Sequence, residues 1–281
     1  MILNLDPSFS PFGQDNTIAF KASTFPGGEP YFRILSDLTT VETVQITHRI
    51  QSFNDFGLVL LAIDALKRLY VEQIKLFIPY FPGARQDRIM TSGEGLTVKV
   101  YTDILNAANL KEITILDPHS EVTPALLNRC KLVNNYEFIE HAIRQIPSKN
   151  LVLISPDGGA LKKIHQLATH LKHKAVVECS KVRNLETGKL SHFNVYAHDL
   201  KGKDCLIVDD ICDGGGTFIG LAKALKEKNA GKLYLAVSHG IFSKGLNGLN
   251  HLFEKVYTTN SFKTELNSPI ITEIPIKLNA K

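Results

Sequence analysis

Short apolar runs alternate with helix-length amphipathic stretches along most of the chain. The apolar runs are rich in β-branched residues, which is typical of strands that a parallel sheet buries on both faces. The stretches between them repeat their apolar positions with the period of an amphipathic helix. We predict strands over 74–80, 112–118, 175–179, 204–211 and 232–240, a strand that runs into a glycine turn over 151–159, and helices over 58–69, 95–110, 160–171 and 217–229. The pattern therefore predicts an α/β fold.

The alternation falls into two series, one before about residue 140 and one after about residue 150. The segment 140–150 separates them and contains Pro, Ser and Asn, which favour irregular structure. In each series a strand ends on an acidic residue followed by a break, as at Asp117 and Asp157. We therefore predict two related domains, residues 1–145 and 146–281.

A charged segment, 181–196, interrupts the second series. Its Thr187-Gly188 pair is a turn signal between two short extended runs, so the segment is predicted to form a hairpin.

Composition excludes some classes of protein. Hydrophobic residues make up 44% of the 281 residues and charged residues 21%, which excludes a wholly disordered chain. No apolar run approaches the roughly 20 residues of a membrane span, and the N-terminus lacks the pattern of a signal peptide. The net charge of +4 suits anionic small molecules but is too small to predict nucleic-acid binding. We expect a cytoplasmic protein without nucleic-acid or membrane partners.

The four cysteines, Cys130, Cys179, Cys205 and Cys212, form no C-x-x-C pair and have no zinc-site spacing. All four are expected to be structural. Cys212 is the one with a reactive alternative, because it lies in the segment that is richest in reactive side chains.

That segment, LIVDDICDGGGT, follows a predicted buried strand and supplies Asp209, Asp210, Asp213, Gly214, Gly215, Gly216 and Thr217. Ligands of open parallel sheets bind beyond the carboxyl ends of the strands. The paired carboxylates suit ribose hydroxyls or hydrated Mg²⁺, and backbone N–H groups of glycines at a helix start suit a phosphate. The alternative is a tight turn with Thr217 as the helix cap, which explains the glycines but not the acidic residues.

Two nucleotide-binding motifs are absent, since the chain contains neither G-x-x-x-x-G-K-[ST] nor G-x-G-x-x-G at this loop. Instead, the order of strand, Asp-Asp, spacer, Asp-Gly-Gly-Gly-Thr and helix resembles the ribose-phosphate loop of type I phosphoribosyltransferases. Five other segments resemble the ribose-phosphate pyrophosphokinases (phosphoribosyl pyrophosphate synthetases) and occur in that family's order: FPGGE (25–29), IDALKRL (63–69), IPYFPGARQDR (78–88), LDPHSEVTPALL (116–127) and ISPDGGA (154–160). The resemblance implies two type I phosphoribosyltransferase-like domains, each a mostly parallel sheet flanked by helices.

The resemblance also implies a reaction. In this family the β,γ-pyrophosphoryl group of Mg·ATP is transferred to the anomeric hydroxyl of ribose 5-phosphate, which gives phosphoribosyl pyrophosphate and AMP. Positioning and neutralisation of phosphate charge are expected to provide most of the catalysis, with Mg²⁺ as the cofactor.

In the first half of the chain, the resemblance implies an ATP site made of Phe25, Glu29, Arg85, Gln86, Asp87 and Arg88. Guanidinium groups suit phosphate oxygens, and Asp87 is expected to orient the arginines. Phe25 and Glu29 match an adenine loop that a neighbouring subunit contributes in the family. We therefore expect a homo-oligomer, a dimer or a hexamer, with an adenine site shared between subunits.

Beyond the ATP site, the resemblance implies a pyrophosphate loop at Asp157, Gly158 and Gly159, magnesium ligands at His119 and Asp157, and a basic catalytic pair at Lys181 and Arg183. The segment from Asp209 to Thr217 becomes the ribose-phosphate loop. Without the motifs around them, His119 and the two basic residues would be interpreted as surface side chains.

Several positions depart from the family's pattern. Gly27 stands where the adenine loop usually has Asp, the pyrophosphate loop lacks its usual His, and 89–99 is less basic than usual. The ribose-phosphate loop has Gly214 and Gly215 where Thr and Ala are typical. This removes a hydroxyl and two β-carbons and suggests a wider loop.

Such a loop suggests a second acceptor, a 5-substituted ribose such as ADP-ribose, which would give ADP-ribose pyrophosphate for NAD salvage as in a phage-associated branch of the family. A non-catalytic regulatory subunit is a further alternative, although such a chain would be expected to lose the Asp-Asp pair or the basic pair. The last alternative is a phosphoribosyltransferase that consumes the product, but that class does not need IPYFPGARQDR.

Overall fold

The computed structural model describes residues 1–173, 175–183, 190–262 and 268–279, with the backbone alone for 182, 183 and 190–192. The chain forms two compact units, Met1–Asn134 together with the segment from Ile276, and Asn135–Pro275. None of the helices in these described ranges is both long and apolar enough to cross a bilayer.

The division between the units falls before a helix that the sequence prediction, with its boundary at 145/146, assigned to the first domain. Phe138, Ile139 and Ala142 of this helix pack into a core of the second unit. At the other end of the chain, Ile276 and Leu278 pack against a Phe cluster of the first unit. Phe9 and Phe77 of that cluster lie far in sequence from Ile276 and Leu278, so local composition could not reveal this second assignment.

The first unit is built around a five-stranded parallel sheet. In chain order it contains β1 (Ile2–Asn4), β2 (Phe20–Thr24), β3 (Pro30–Ile34), β4 (Thr43–Thr47), α1 (Phe53–Arg68), β5 (Gln73–Ile78), α2 (Thr97–Ala107), β6 (Glu112–Leu116), α3 (Val122–Leu126) and β7 (Cys130–Val133). The strand order is β1-β4-β5-β6-β7, while β2 and β3 form a separate antiparallel pair.

Helix α1 begins five residues before its predicted start, at Phe53 instead of residue 58. A capping box explains this start, because the Ser52 hydroxyl accepts from the Asp55 amide and the Asp55 carboxylate accepts from the Ser52 amide. The apolar face of the helix then follows the predicted period and is buried in the core of the first unit.

The second unit is built around a seven-stranded sheet in the order β10-β9-β8-β11-β12-β13-β14. In chain order it contains α4 (Tyr136–Gln145), β8 (Leu151–Ser155), α5 (Leu161–His170), β9 (Val176–Arg183), β10 (Leu190–Val195), β11 (Asp204–Cys212), α6 (Gly216–Glu227), β12 (Leu233–Gly240), β13 (Lys255–Thr259) and β14 (Ile271–Ile274). All neighbouring strands are parallel except β9 and β10, which form the predicted hairpin. Its predicted turn at Thr187-Gly188 lies outside the described residues.

Strand β11 carries a core on each face of this sheet. Cys205 and Ile207 pack on one side with residues of α6, and Leu206 and Val208 pack on the other with residues of α4 and α5. Because β9, β8 and β11 are parallel neighbours, their carboxyl ends lie along the same edge. The predicted α/β class is confirmed, and this edge carries several of the predicted site residues.

Candidate functional site

Two adjacent carboxyl groups lie near the end of the central strand β11. The strand continues through Asp209 and Asp210 to Cys212, and the Asp210 amide donates to Oδ1 of Asp209 at 2.9 Å. Burial raises the pKa of Asp209 well above its ordinary value, and the charges of Asp210 and Asp157 raise this pKa further. Any ligand that supplies hydrogen-bond donors or positive charge therefore stabilises the ionised form of this carboxyl pair.

The glycine loop that follows leads directly into helix α6. Gly215 is the N-cap with φ 74°, a left-handed conformation that favours glycine, and the helix begins at Gly216. The prediction that Thr217 caps the helix is wrong, because Thr217 lies inside the first turn and no side chain caps this end. The backbone N–H groups of this turn form the anion-binding end of the helix dipole.

A turn after strand β12, residues 241–245, packs onto the start of this glycine loop. The amides of Ile241 and Phe242 donate to the Cys212 carbonyl at 2.9 and 3.1 Å. The Ser243 hydroxyl donates to Oδ1 of Asp213 at 2.5 Å. This turn was not predicted as part of the site, although it directly follows the strand predicted over 232–240.

Neighbouring side chains border both substituted glycines. A Cβ at Gly214 would lie 3.3 Å from Cδ of Lys244, and one at Gly215 would lie 3.6 Å from a methyl of Leu249. Of the three glycines in this loop, Gly216 is the one at which an added Cβ would have no neighbouring atom within 4 Å. The expected widening of the loop at positions 214 and 215 is therefore offset by the side chains of Lys244 and Leu249.

Asp157 lies at the end of the neighbouring strand β8 and joins a backbone turn to a lysine. Its Oδ1 accepts from the amides of Gly159 and Ala160 at 2.9 and 3.1 Å, while its Oδ2 lies 2.5 Å from Nζ of Lys181 on β9. Burial opposes the ionisation of Asp157. The Lys181 ammonium and the two amides outweigh burial and hold the pKa of Asp157 below its ordinary value.

The pyrophosphate loop is open on its outer side. A Cβ at Gly158 would meet no atom within 4 Å, so a ligand can approach the backbone there. The structure therefore brings Asp157, Gly158 and Lys181 to the same edge as the Asp209–Asp210 pair. Arg183 is the last residue of β9, two residues beyond Lys181, and its side chain lies outside the described residues.

In the first unit, a loop after β5 meets a loop after β6. Asp87 is buried, and Nε of Arg88 donates to its Oδ1 at 3.0 Å. Burial favours the neutral acid, but the Arg88 guanidinium, the Ser120 hydroxyl and the charge of His119 together lower the pKa of Asp87. Arg85, Gln86 and Arg88 are exposed beside this buried carboxylate. The structure therefore brings four predicted ATP-site residues together with His119.

Phe25 and Glu29 lie on the hairpin of β2 and β3, a different sheet from the one that carries the arginine loop. The Phe25 ring is 53% exposed and contacts Tyr31 edge-on, with centroids 5.8 Å apart. A Cβ at Gly27 would lie 2.7 Å from Oε2 of Glu29. The glycine thus leaves room for the Glu29 carboxylate beside it.

Among the described side chains, no group of three or more His, Cys, Asp or Glu residues forms a metal cluster. The thiol of Cys212, the candidate reactive cysteine, is buried, and burial raises its pKa to about 12. Such a thiol stays protonated and is not a nucleophile at neutral pH.

Comparison with known proteins matches both halves of the chain. The family model for the N-terminal domain of ribose phosphate pyrophosphokinase matches residues 14–108, and the model for the phosphoribosyl transferase domain matches residues 131–260. The ribose-phosphate pyrophosphokinase of Mycoplasma pneumoniae is 32% identical over 223 residues, which are 78% of this chain and 67% of that protein. The enzyme of the same name from Thermococcus kodakarensis is 31% identical over 262 residues, 90% of this chain and 89% of that protein.

A solved structure agrees with these matches. The crystal structure of phosphoribosylpyrophosphate synthetase from Mycobacterium smegmatis superimposes with a TM-score of 0.81 at 25% identity, covering 92% of this chain and 87% of that one. The likeness therefore extends over both units. The chain belongs to the ribose-phosphate pyrophosphokinase family.

Proposed function

We propose that this protein transfers the β,γ-pyrophosphoryl group of ATP to the anomeric hydroxyl of ribose 5-phosphate. The observation that carries the proposal is the meeting of Lys181, Asp157 and the Asp209–Asp210 pair at one sheet edge, beside the glycine-led start of α6. Membership in the ribose-phosphate pyrophosphokinase family supports the same reaction.

The acceptor binds to the end of β11 in this proposal. The first turn of α6 offers backbone N–H groups to the 5-phosphate, because no side chain caps them. Asp209 and Asp210 accept hydrogen bonds from ribose hydroxyls, and these donors offset the mutual repulsion of the two carboxyl groups. Thr217, in the same helical turn, adds a hydroxyl donor to the phosphate in this proposal.

Basic residues bind the phosphates of ATP in this proposal. Arg85, Gln86 and Arg88 are the exposed polar side chains around buried Asp87, and guanidinium groups suit phosphate oxygens. Lys181, held by Asp157, offsets negative charge on the transferring group, and Arg183 follows it by two residues on the same strand. The Gly158-Gly159 backbone accommodates the pyrophosphate.

The transfer forms one bond and breaks another. The anomeric oxygen bonds to the β-phosphorus, the bond from that phosphorus to the bridging oxygen of AMP breaks, and the hydroxyl proton is released to solvent. The protein contributes alignment of the two substrates and positive charge near the transferring group.

The residues of the site fit a magnesium ion bound together with substrates. Mg²⁺ commonly takes one or two protein carboxylates and fills its other positions with phosphate oxygens and water. Asp209 and Asp210 supply such a pair. Burial and the neighbouring carboxyl groups disfavour the ionised form of Asp209, and a bound cation would stabilise that form. Asp157 is a further candidate ligand, although both of its oxygens already have partners, and His119 is the candidate ligand in the first unit. When bound, the ion neutralises phosphate charge.

The exposed Phe25 favours an adenine site that is shared between subunits. An aromatic ring with half of its surface exposed on a hairpin is suited to stacking on a base from another copy of the chain. We therefore include a homo-oligomer in the proposal.

The test is AMP formation from Mg·ATP, with ribose 5-phosphate and ADP-ribose offered in parallel. We expect turnover with ribose 5-phosphate. Turnover with ADP-ribose alone would assign the second acceptor instead. Absence of AMP with either acceptor at high enzyme concentration would exclude a synthetase and favour a regulatory subunit. Pyrophosphate release with a purine base and phosphoribosyl pyrophosphate would instead identify a transferase.

A further inference from the structure

Lys244 is held beside the proposed phosphate site by the chain on its N-terminal side. The amides of Ile241 and Phe242 donate to the Cys212 carbonyl, and the Ser243 hydroxyl donates to Asp213. These three hydrogen bonds join the turn after β12 to the strand that enters the glycine loop. The backbone position of the next residue, Lys244, is thereby set relative to that loop.

The side chain of Lys244 occupies the space that a larger residue at 214 would need. A Cβ at Gly214 would lie 3.3 Å from Cδ and 3.5 Å from Cε of the lysine. The φ of Gly214 lies outside the left-handed region, so its backbone does not require glycine. What glycine provides at this position is room for the lysine methylenes.

The negative charge of the carboxyl groups at this sheet edge opposes the binding of an anionic acceptor, so an additional cation there favours binding. Asp157, Asp213 and the Asp209–Asp210 pair place four carboxyl groups where an anionic acceptor is proposed to bind. Lys181 is already paired with Asp157. The described residues place no carboxylate within 4.0 Å of the Lys244 ammonium. That ammonium therefore remains available to an anionic ligand.

We propose that Lys244 is a specificity-determining residue that donates to the phosphate on C5 of the pentose acceptor. The first turn of α6 binds the same phosphate through its backbone, and the lysine adds a mobile point charge. The inference rests on the proposed function and adds that the acceptor must carry a phosphate at C5. A pentose with a free 5-hydroxyl has no partner for the ammonium.

The first test compares Lys244→Ala and Lys244→Arg with Lys223→Ala, an exposed lysine within α6 that serves as a control for lost charge. Loss of a charge-assisted hydrogen bond should raise the acceptor KM of Lys244→Ala by roughly 5- to 30-fold. The kcat and the KM for ATP should stay within about twofold, and arginine should restore most of the acceptor KM. An acceptor KM of Lys244→Ala within about twofold of the wild-type value would overturn the proposal.

A second test uses the contact between the two residues. Gly214→Ala should raise the acceptor KM in the wild-type background, because the added methyl displaces the lysine methylenes. The same change should have much less effect in the Lys244→Ala background. Equal effects in both backgrounds would mean that the methyl acts on the acceptor directly, and this would refute the proposed role of Gly214.

Direct binding separates this inference from the proposed reaction. Calorimetric titration with ribose 5-phosphate in the absence of ATP should show the same 5- to 30-fold weakening in Lys244→Ala, roughly as expected for one charged hydrogen bond. An unchanged affinity would reject the role of Lys244 even if the wild-type protein forms AMP. Conversely, weakened binding would support the lysine even if no AMP forms. Equal thermal midpoints of all variants would exclude misfolding as the cause.

Discussion

The ion pair between Lys181 and Asp157 allows a direct test of the catalytic assignment. Lys181→Met keeps an unbranched side chain of similar length and removes the charge. Both oxygens of Asp157 are engaged, but only Oδ2 loses its partner, because Oδ1 still accepts from the amides of Gly159 and Ala160. The pyrophosphate loop should therefore keep its conformation in this variant.

The magnitude follows from the geometry of the pair. The two charged atoms lie 2.5 Å apart, and the side chains of Lys181 and Asp157 are 28% and 20% exposed. Loss of such a partly buried, charge-assisted bond should cost about 1–3 kcal/mol in the free energy of unfolding. Removal of one cation from a developing phosphoryl charge should lower kcat by about 10²- to 10³-fold. The KM for ATP should change little.

The stability difference should also depend on pH. Burial raises the pKa of Asp157, but Lys181 and the two amides lower it more, so the folded-state pKa lies below the ordinary value. A group with a lowered pKa adds stability above its unfolded pKa of about 4, and this contribution is lost as the pH falls through the folded value. The gap between wild type and Lys181→Met should therefore be largest at neutral pH and shrink in acid.

The assay measures AMP release at saturating ATP and acceptor, together with urea unfolding at several pH values. Lys223→Met, which removes an exposed lysine within α6, is the matched control and should behave as wild type. A kcat of Lys181→Met within threefold of wild type, roughly 0.6 kcal/mol, would refute the catalytic role of Lys181. A stability gap that persists unchanged in acid would contradict the role of the ion pair in lowering the pKa of Asp157.

Three other outcomes are expected. Asp210→Asn should raise the acceptor KM about tenfold without changing the KM for ATP, and an unaltered acceptor KM would contradict its ribose role. Phe25→Ala and Lys181→Met should each be nearly inactive, yet subunit exchange between them should restore measurable AMP formation; no recovery would argue against a shared adenine site. Gly240→Ala places a Cβ against a Phe ring and a Thr hydroxyl and should lower stability by about 1–3 kcal/mol in thermal unfolding, whereas Gly95→Ala, with open space around it, should not.

The local pattern of the sequence was enough to predict most elements near the site. The strand predicted over 204–211 and the helix predicted over 217–229 correspond to β11 and α6, because both depend on the spacing of apolar residues along one segment. The start of α1 at Phe53 was missed, since a capping box, and not apolar periodicity, determines it. The cap of α6 was misassigned because the left-handed conformation of Gly215 depends on how the loop leaves β11.

By itself, the sequence determined the α/β class, the acidic pair beyond a buried strand and the glycines that precede a helix. The tertiary structure alone decided that β9, β8 and β11 are parallel neighbours, which brings Lys181 to Asp157 and both toward Asp209. It also decided that Lys244 lies along Gly214, thirty residues earlier in the chain. Strand order and register depend on how distant apolar faces pack together, and no local period of the sequence encodes that choice.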